Sequence, residues 1–391
     1  MPTTPLDRVP LWRRPALRAL IFQALLLAGL VALIGMMINN ALTNLESRGI
    51  TTGLGFLTER AGFSIPQTLI DYSGDSTYGR TFFVGLLNTL LVSALGIVAA
   101  TIIGFAVGIA RLSPNWLLAR LATTFVEIFR NIPLLVQILF WYFAVLQALP
   151  SPRQSLSLFE AFFLNVRGIT VPAPVAQPGF GFTQLALALA IVVVVSLAFF
   201  ARRRQVRTGK ALPVYRLGAA ILIGLPLVVF VVSGAPLSWD VPALKGFNFA
   251  GGITVIPELM ALWLALSIYT AAFIAEIVRS GIQSVPKGQI EASRAISLPG
   301  DITLRKVVIP QAMRVIVPQL TSQYLNLIKN SSLATAIGYP DLVAVFAGTT
   351  LNQTGQAIEI IAMTMAVYLT ISLVVSALMN VYNARTLLKE R

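Results

Sequence analysis

The chain has no cysteine and no histidine. Disulfides and Cys/His metal sites are therefore excluded, and histidine is removed as an acid–base group. Charge is also scarce. Asp, Glu, Lys and Arg make up 11% of the 391 residues, against about a quarter in soluble globular domains. Acidic residues are the rarer sign, 15 against 29 basic ones. No G-x-x-x-x-G-K-[ST] loop occurs, because VRTGKA at 206–211 lacks the first glycine at the needed spacing. No acyl-transfer or metal constellation is present either, and enzyme function is not expected.

What the chain has instead is apolar length. Hydrophobic residues account for 56% of it. Eight runs, at about 18–39, 83–110, 120–147, 183–201, 214–234, 257–279, 307–328 and 357–380, are each long enough to cross about 30 Å of hydrocarbon. They do not alternate as strands do, so helices are expected. Gly and Ala recur within them, as close helix packing in membranes favours. The expected fold is an all-α polytopic membrane protein with about eight transmembrane helices. The seventh run is the most polar, with Arg314, Pro310 and Pro318 inside it. The basic start, MPTTPLDRVPLWRRPALRAL, precedes an apolar run without a small-residue cleavage pattern, so an uncleaved first span is expected.

The net charge of +14 has a topological explanation. With the N-terminus inside, twenty basic residues fall in inner segments and seven in outer ones. This matches the excess of Lys and Arg on the cytoplasmic side of membrane proteins. Both termini are then expected in the cytoplasm, and nucleic acid is not needed as a partner. Three longer outer loops follow, 40–82, 148–182 and 235–256. Their proline and glycine argue against long helices.

One inner segment, GQIEASRAISLPGDITLRKVVIPQAM at 288–313, is polar and evenly punctuated. Gln289–Ile296 holds helix formers without Pro or Gly. Leu298-Pro299-Gly300 breaks the run. Asp301 is placed to cap a second short helix reaching about Val308. Ala292, Ala295 and Ile296 make a small apolar face bordered by Glu291 and Arg294. From the residues alone, the segment is either an ordinary loop on the lipid surface or an element that inserts into a groove on another protein.

The same residues resemble the EAA-type coupling loop of bacterial ABC importer permeases. Glu291 and Ala292 match its start, Ser293 stands for the second alanine, and Ile309-Pro310 match its end. The pattern's glycine position is Ser297, and Gly300 is displaced from it by three residues. Three further stretches, VEIFRNIPLLVQILFWYF (126–143), LSIYTAAFIAEIVRSGIQSVPKGQIEA (266–292) and LTSQYLNLIKNSSLATAIGYPDLV (320–343), are similar to the polar amino acid permeases of the histidine/glutamate/glutamine group. LLNTLLVS (86–93) fits the opening helix of that core. The extra first span, the long outer loops and an inserted pair of spans at 183–234 resemble the longer permease subunit of general L-amino acid importers.

This resemblance implies a type I ABC importer permease core over 83–385, with the coupling loop at 280–306. Residues 1–82 would form a cytoplasmic tail, an extra span and a periplasmic loop. It implies a second homologous permease, two cytoplasmic ABC ATPases and a periplasmic amino-acid-binding protein as partners. The setting would be the bacterial inner membrane. The chain itself would bind no cofactor, ATP being used by the partners. Glu291, Ala292, Ala295, Ser297 and Gly300 are expected at the ATPase contact. Asn326, Lys329, Asn330, Ser331 and Ser332 are expected along the substrate path, where a zwitterion needs polar partners. Two other classes stay open on the residues: an ion-coupled secondary transporter of small polar solutes, and a non-transporting membrane scaffold.

Overall fold

The computed structural model describes residues 15–47, 53–209 and 212–386. Six helices among them are long and apolar enough to cross a membrane, and a seventh span arises if one bent pair is counted. They are α1 (Pro15–Ser47), α2 (Tyr78–Ala110), α5 (Phe180–Thr208), α6 (Val214–Val232), α7 (Pro257–Gln283) and α12 (Ala357–Thr386). The bent pair is α3 (Trp116–Asn131) with α4 (Leu134–Leu139), the latter extended by a π-helical turn, Phe140–Leu146. Pro133 explains the break, since it lacks an amide hydrogen and disfavours helix in the residue before it.

The seventh expected span, at about 307–328, stands apart from these six. Residues 309–330 do form a helix, α10 (Ile309–Asn330), but it is not among the six. Arg314 and Lys329, with the polar run Gln319–Asn326, make it amphipathic rather than apolar all round.

The chain divides into two compact units. One combines residues up to Glu127 with those from Thr270 onward. Within it, α10 packs against α2 and α12. The C-terminal half of α7 approaches α2 at two glycines. A Cβ on Gly104 would lie 2.6 Å from Ile274 Cβ, and one on Gly108 would lie 2.8 Å from the Ala275 carbonyl oxygen. Gly281 gives α7 the same closeness to Ile316 of α10. Small residues let backbones meet where no water is expelled to drive association. A satellite core covers the start of α2. Phe56, from the 3-10 turn Gly55–Thr58, sits with Tyr78, Leu342, Phe346 and Ile360. Its ring lies 6.2 Å from that of Phe346.

The other unit is Ile128–Tyr269. Helices α5 and α6 form a hairpin, with Gly218 of α6 seated against Val194 of α5. The expected outer loops here are not irregular. They form short strands: β1 (Leu156–Leu158), β2 (Phe162–Asn165), β3 (Gly168–Val171), β4 (Ala173–Ala176), β5 (Leu237–Asp240), β6 (Ala243–Lys245), β7 (Asn248–Ala250) and β8 (Ile253–Val255). β1, β2, β3 and β8 make one antiparallel sheet, and β4–β5 and β6–β7 make two pairs. Gly168 is required at the β3–β8 contact. Its φ is +109°, and a Cβ would fall 2.0 Å from the Val255 carbonyl oxygen. The fold is therefore helical within its spans, with a small β module between them.

The α2–α7 contact gives a direct test. Gly104→Ala should lower the stability of the purified chain by about 1–3 kcal/mol, the usual cost of overpacking. Thermal unfolding in detergent measures it, and an unshifted midpoint would contradict the packing described.

Candidate functional site

The polar segment begins at Pro286, whose extended ψ of 133° sets the start of α8 (Lys287–Ala295). Two closing hydrogen bonds end the helix: Ser297 N–H donates to the Arg294 carbonyl at 2.9 Å, and Leu298 N–H to the Ser293 carbonyl at 3.0 Å. This pair of bonds is the helix stop that glycine usually supplies, with the residue before the last donor in the left-handed region. That residue is Ser297, with φ of +57°. Left-handed geometry costs an ordinary L-residue about 1–2 kcal/mol. Gly300 does not substitute for it, because Gly300 opens the next helix and has no positive φ. The turn thus keeps the geometry of the glycine pattern and places serine in it.

After the turn, the expected second short helix is not separate. Gly300–Thr303 (α9) runs through a π-helical turn, Leu304–Val308, directly into α10. Asp301 lies in the first turn but makes no capping hydrogen bond, and Pro299 holds the N-cap position. The negative charge there still suits the positive end of the helix. The π turn falls where Pro310 removes an amide donor from the ladder.

Glu291, Ala292, Ala295, Ser297 and Gly300 are all exposed. Ile296 is 71% exposed beside them. Ser293 instead faces inward, 4% exposed, with its hydroxyl on the Gln289 carbonyl at 2.7 Å. The free face of α8 is therefore small and apolar, with Glu291 and Arg294 on its border. It has the chemistry of a helix that seats in a groove.

The residues at the other end of α10 are spread differently. Asn326 and Lys329 are exposed, Asn330 and Ser332 are half-buried, and Ser331 is fully enclosed. Ser331 and Ser332 donate their hydroxyls to the carbonyls of Ile328 and Lys329, each at 2.7 Å. Those hydroxyls close the helix and keep only acceptor capacity for a ligand. The chain then turns through the 3-10 segment Ser331–Ile337 and left-handed Gly338.

Residues 339–342 are latched to α2. Asn88 donates to the Pro340 carbonyl at 2.9 Å, and the Tyr339 hydroxyl donates to the Asn88 carbonyl at 3.0 Å. Leu342 N–H reaches the Thr89 hydroxyl at 3.0 Å. Gly85 makes room, since a Cβ there would lie 2.9 Å from Leu342 Cα. Asp341, fully buried, accepts from Ala344 N–H at 2.8 Å and so caps the π-helical segment Val343–Thr350. These side chains satisfy backbone that leaves the helical ladder, as a non-aqueous setting demands. Sequence reasoning missed Asn88, Thr89 and Asp341 as a group. Polar residues inside the apolar stretch LLNTLLVS were the available signal.

A further ion network also went unforeseen. Glu276 of α7 takes Arg111 from the end of α2 and Arg279 one turn along its own helix. Arg279 also donates to Gln283 at 2.6 Å. The network ties α2 to α7 just before α8 begins.

Multiple spans, an exposed short helix between two of them and non-helical backbone latched inside the bundle define a polytopic membrane transport subunit. Residues 206–388 match the model of the binding-protein-dependent transport system inner membrane component. The chain is 59% identical to YhdX of Escherichia coli, over 96% of each chain. It is 52% identical to the general L-amino acid transport system permease protein AapQ of Rhizobium johnstonii, over 96% of this chain and 94% of that one. It is 42% identical to the glutamate/glutamine/aspartate/asparagine transport system permease protein BztB of Rhodobacter capsulatus, over 94% and 92%. The chain belongs to the amino-acid ABC transporter permeases. It is a transport subunit and not an enzyme, ATP being hydrolysed by a partner.

Ser297 carries the local prediction. Ser297→Gly should relieve the left-handed turn and slow amide exchange at positions 297 and 298, by about 5- to 30-fold for 1–2 kcal/mol. Hydrogen exchange read by mass spectrometry measures this. Faster exchange in the glycine variant would show that the serine side chain itself holds the turn.

Proposed function

We propose that the chain is the longer permease subunit of a general L-amino acid importer and that α8 is its ATPase handle. The exposed α8 face, with Glu291 beside Ala292 and Ala295, is the observation that carries this assignment. Small alanines allow close docking, and Glu291 offers a charge-assisted hydrogen bond to a donor on the ATPase. Ser297 and Gly300 bound the contact. The orientation follows the basic residues: both termini and α8 in the cytoplasm, the β module and residues 331–356 outside.

The complex has a second homologous permease, two ATPases and a periplasmic binding protein that delivers the amino acid. The relatives named for general and for acidic and amide amino acids support a broad substrate range. With α10 counted beside the bent pair, the spans number eight. Residues 83–385 form the permease domain with 183–234 inserted and the coupling loop at 280–306. Residues 1–82 carry the extra first span and the periplasmic loop.

Motion reaches the outside through one helical rod. ATPase closure displaces α8, and beyond the turn at 296–299 the run Gly300–Asn330 continues without a break to the outer segment. At 1.5 Å per residue this run is about 46 Å long, longer than the hydrocarbon layer. Asn326, Lys329, Asn330, Ser331 and Ser332 then line the path where the rod ends.

Two variants separate these roles. Glu291→Ala combined with Ala292→Leu should weaken co-purification with the ATPase and abolish ATP-dependent uptake in proteoliposomes. Asn330→Ala should leave ATPase binding intact and cut uptake about tenfold, the equivalent of one polar contact. Normal transport by the first variant would defeat the coupling role, and normal transport by the second would remove Asn330 from the path.

A further inference from the structure

The α5–α6 hairpin ends in a dense basic cluster that none of the transport machinery uses. Arg202, Arg203, Arg204 and Arg207 are exposed at the end of α5, and Arg216 is exposed on α6. No aspartate or glutamate occurs between Glu160 and Asp240, so the hairpin holds no carboxylate to pair with them. On one stripe of α5, Phe199, Arg202, Arg203, Val206 and Arg207 line a hollow of about 290 Å³. Phe199 is 66% and Val206 82% exposed. Both apolar side chains thus stand between guanidinium groups where an apolar span meets water.

Basic residues that only fixed orientation would need charge and nothing more. This stripe has more: planar forks that take phosphate oxygens in pairs, and an apolar strip beside them. A free anion would use the guanidiniums and leave Phe199 and Val206 in water. An anionic phospholipid satisfies both, with its phosphate on the arginines and its glycerol and upper acyl carbons on the apolar residues. We propose that the end of the α5–α6 hairpin is a binding site for an anionic phospholipid, held by Arg202, Arg203 and Arg207 over Phe199 and Val206. The leaflet concerned, the cytoplasmic one, rests on the orientation given above. The site itself does not.

The test uses the full chain in detergent, titrated with phosphatidylglycerol, phosphatidylcholine or inorganic phosphate and read by native mass spectrometry. Phosphatidylglycerol should bind and phosphatidylcholine should not. The combined change Arg202→Gln, Arg203→Gln and Arg207→Gln should weaken phosphatidylglycerol binding roughly a hundredfold. The matching triple change to lysine keeps the charge and should give an intermediate loss. Retained binding by the glutamine variant would overturn the proposal. So would full competition by inorganic phosphate, which would mark a simple anion site. Loss of ATPase co-purification with lipid binding unchanged would assign the surface to a protein partner instead. Uptake by the same variants, measured separately, reports on the transport assignment and not on the lipid.

Discussion

On the function proposed above, everything in this chain that relates to transport hangs on the helical continuity from Gly300 to Asn330. A break at Pro310 or Pro318 would isolate α8 from the segment at 331–342. The ladder survives the first proline by widening into a π turn, and the second proline lies inside α10 without ending it. The rod is held along its length. Gly281 presses α7 onto Ile316, and the Tyr324 hydroxyl meets Thr101 of α2 at 2.9 Å. Beyond its end, Asn88 and Thr89 fix residues 339–342. The rod is therefore in direct contact with both α7 and α2.

The surroundings of the rod show how a lipid-soluble bundle obtains specificity. Apolar contact alone does not distinguish helix from lipid, so the discriminating contacts are close backbone approach and hydrogen bonding. Gly85, Gly104 and Gly108 supply the first on α2. Asn88 and Thr89, one turn from Gly85, supply the second. The Glu276 network closes the opposite end of the same helix. α2 is thus a fixed post beside the rod, with polar contacts at both of its ends and at Thr101.

The spans were legible in the sequence because their apolar length is a physical necessity. The α8 turn was legible as an irregularity, since Ser297 stood where glycine was expected, and the structure shows the left-handed geometry that makes the substitution costly. Three features were not legible. The β module is built from three- and four-residue strands, too short for alternation to stand out among prolines and glycines. Asp301 was read as a helix cap because its residue type suits one, but Pro299 already fixes where the helix starts. Asn88 and Asp341 needed the tertiary pairing of 339–342 with α2, a contact more than 250 residues apart that no local pattern encodes.

The absence of native cysteine makes the rod directly measurable. Spin labels at Ile302→Cys and Thr335→Cys span the rod and the 3-10 turn that ends it in the reconstituted importer, and a third label at Leu378→Cys on α12 reports its movement. Pulsed electron resonance distances taken with and without trapped ATP should leave the 302–335 separation unchanged while the distances to 378 shift. A change between 302 and 335 of several ångströms, with 378 still, would contradict transmission through a continuous helix.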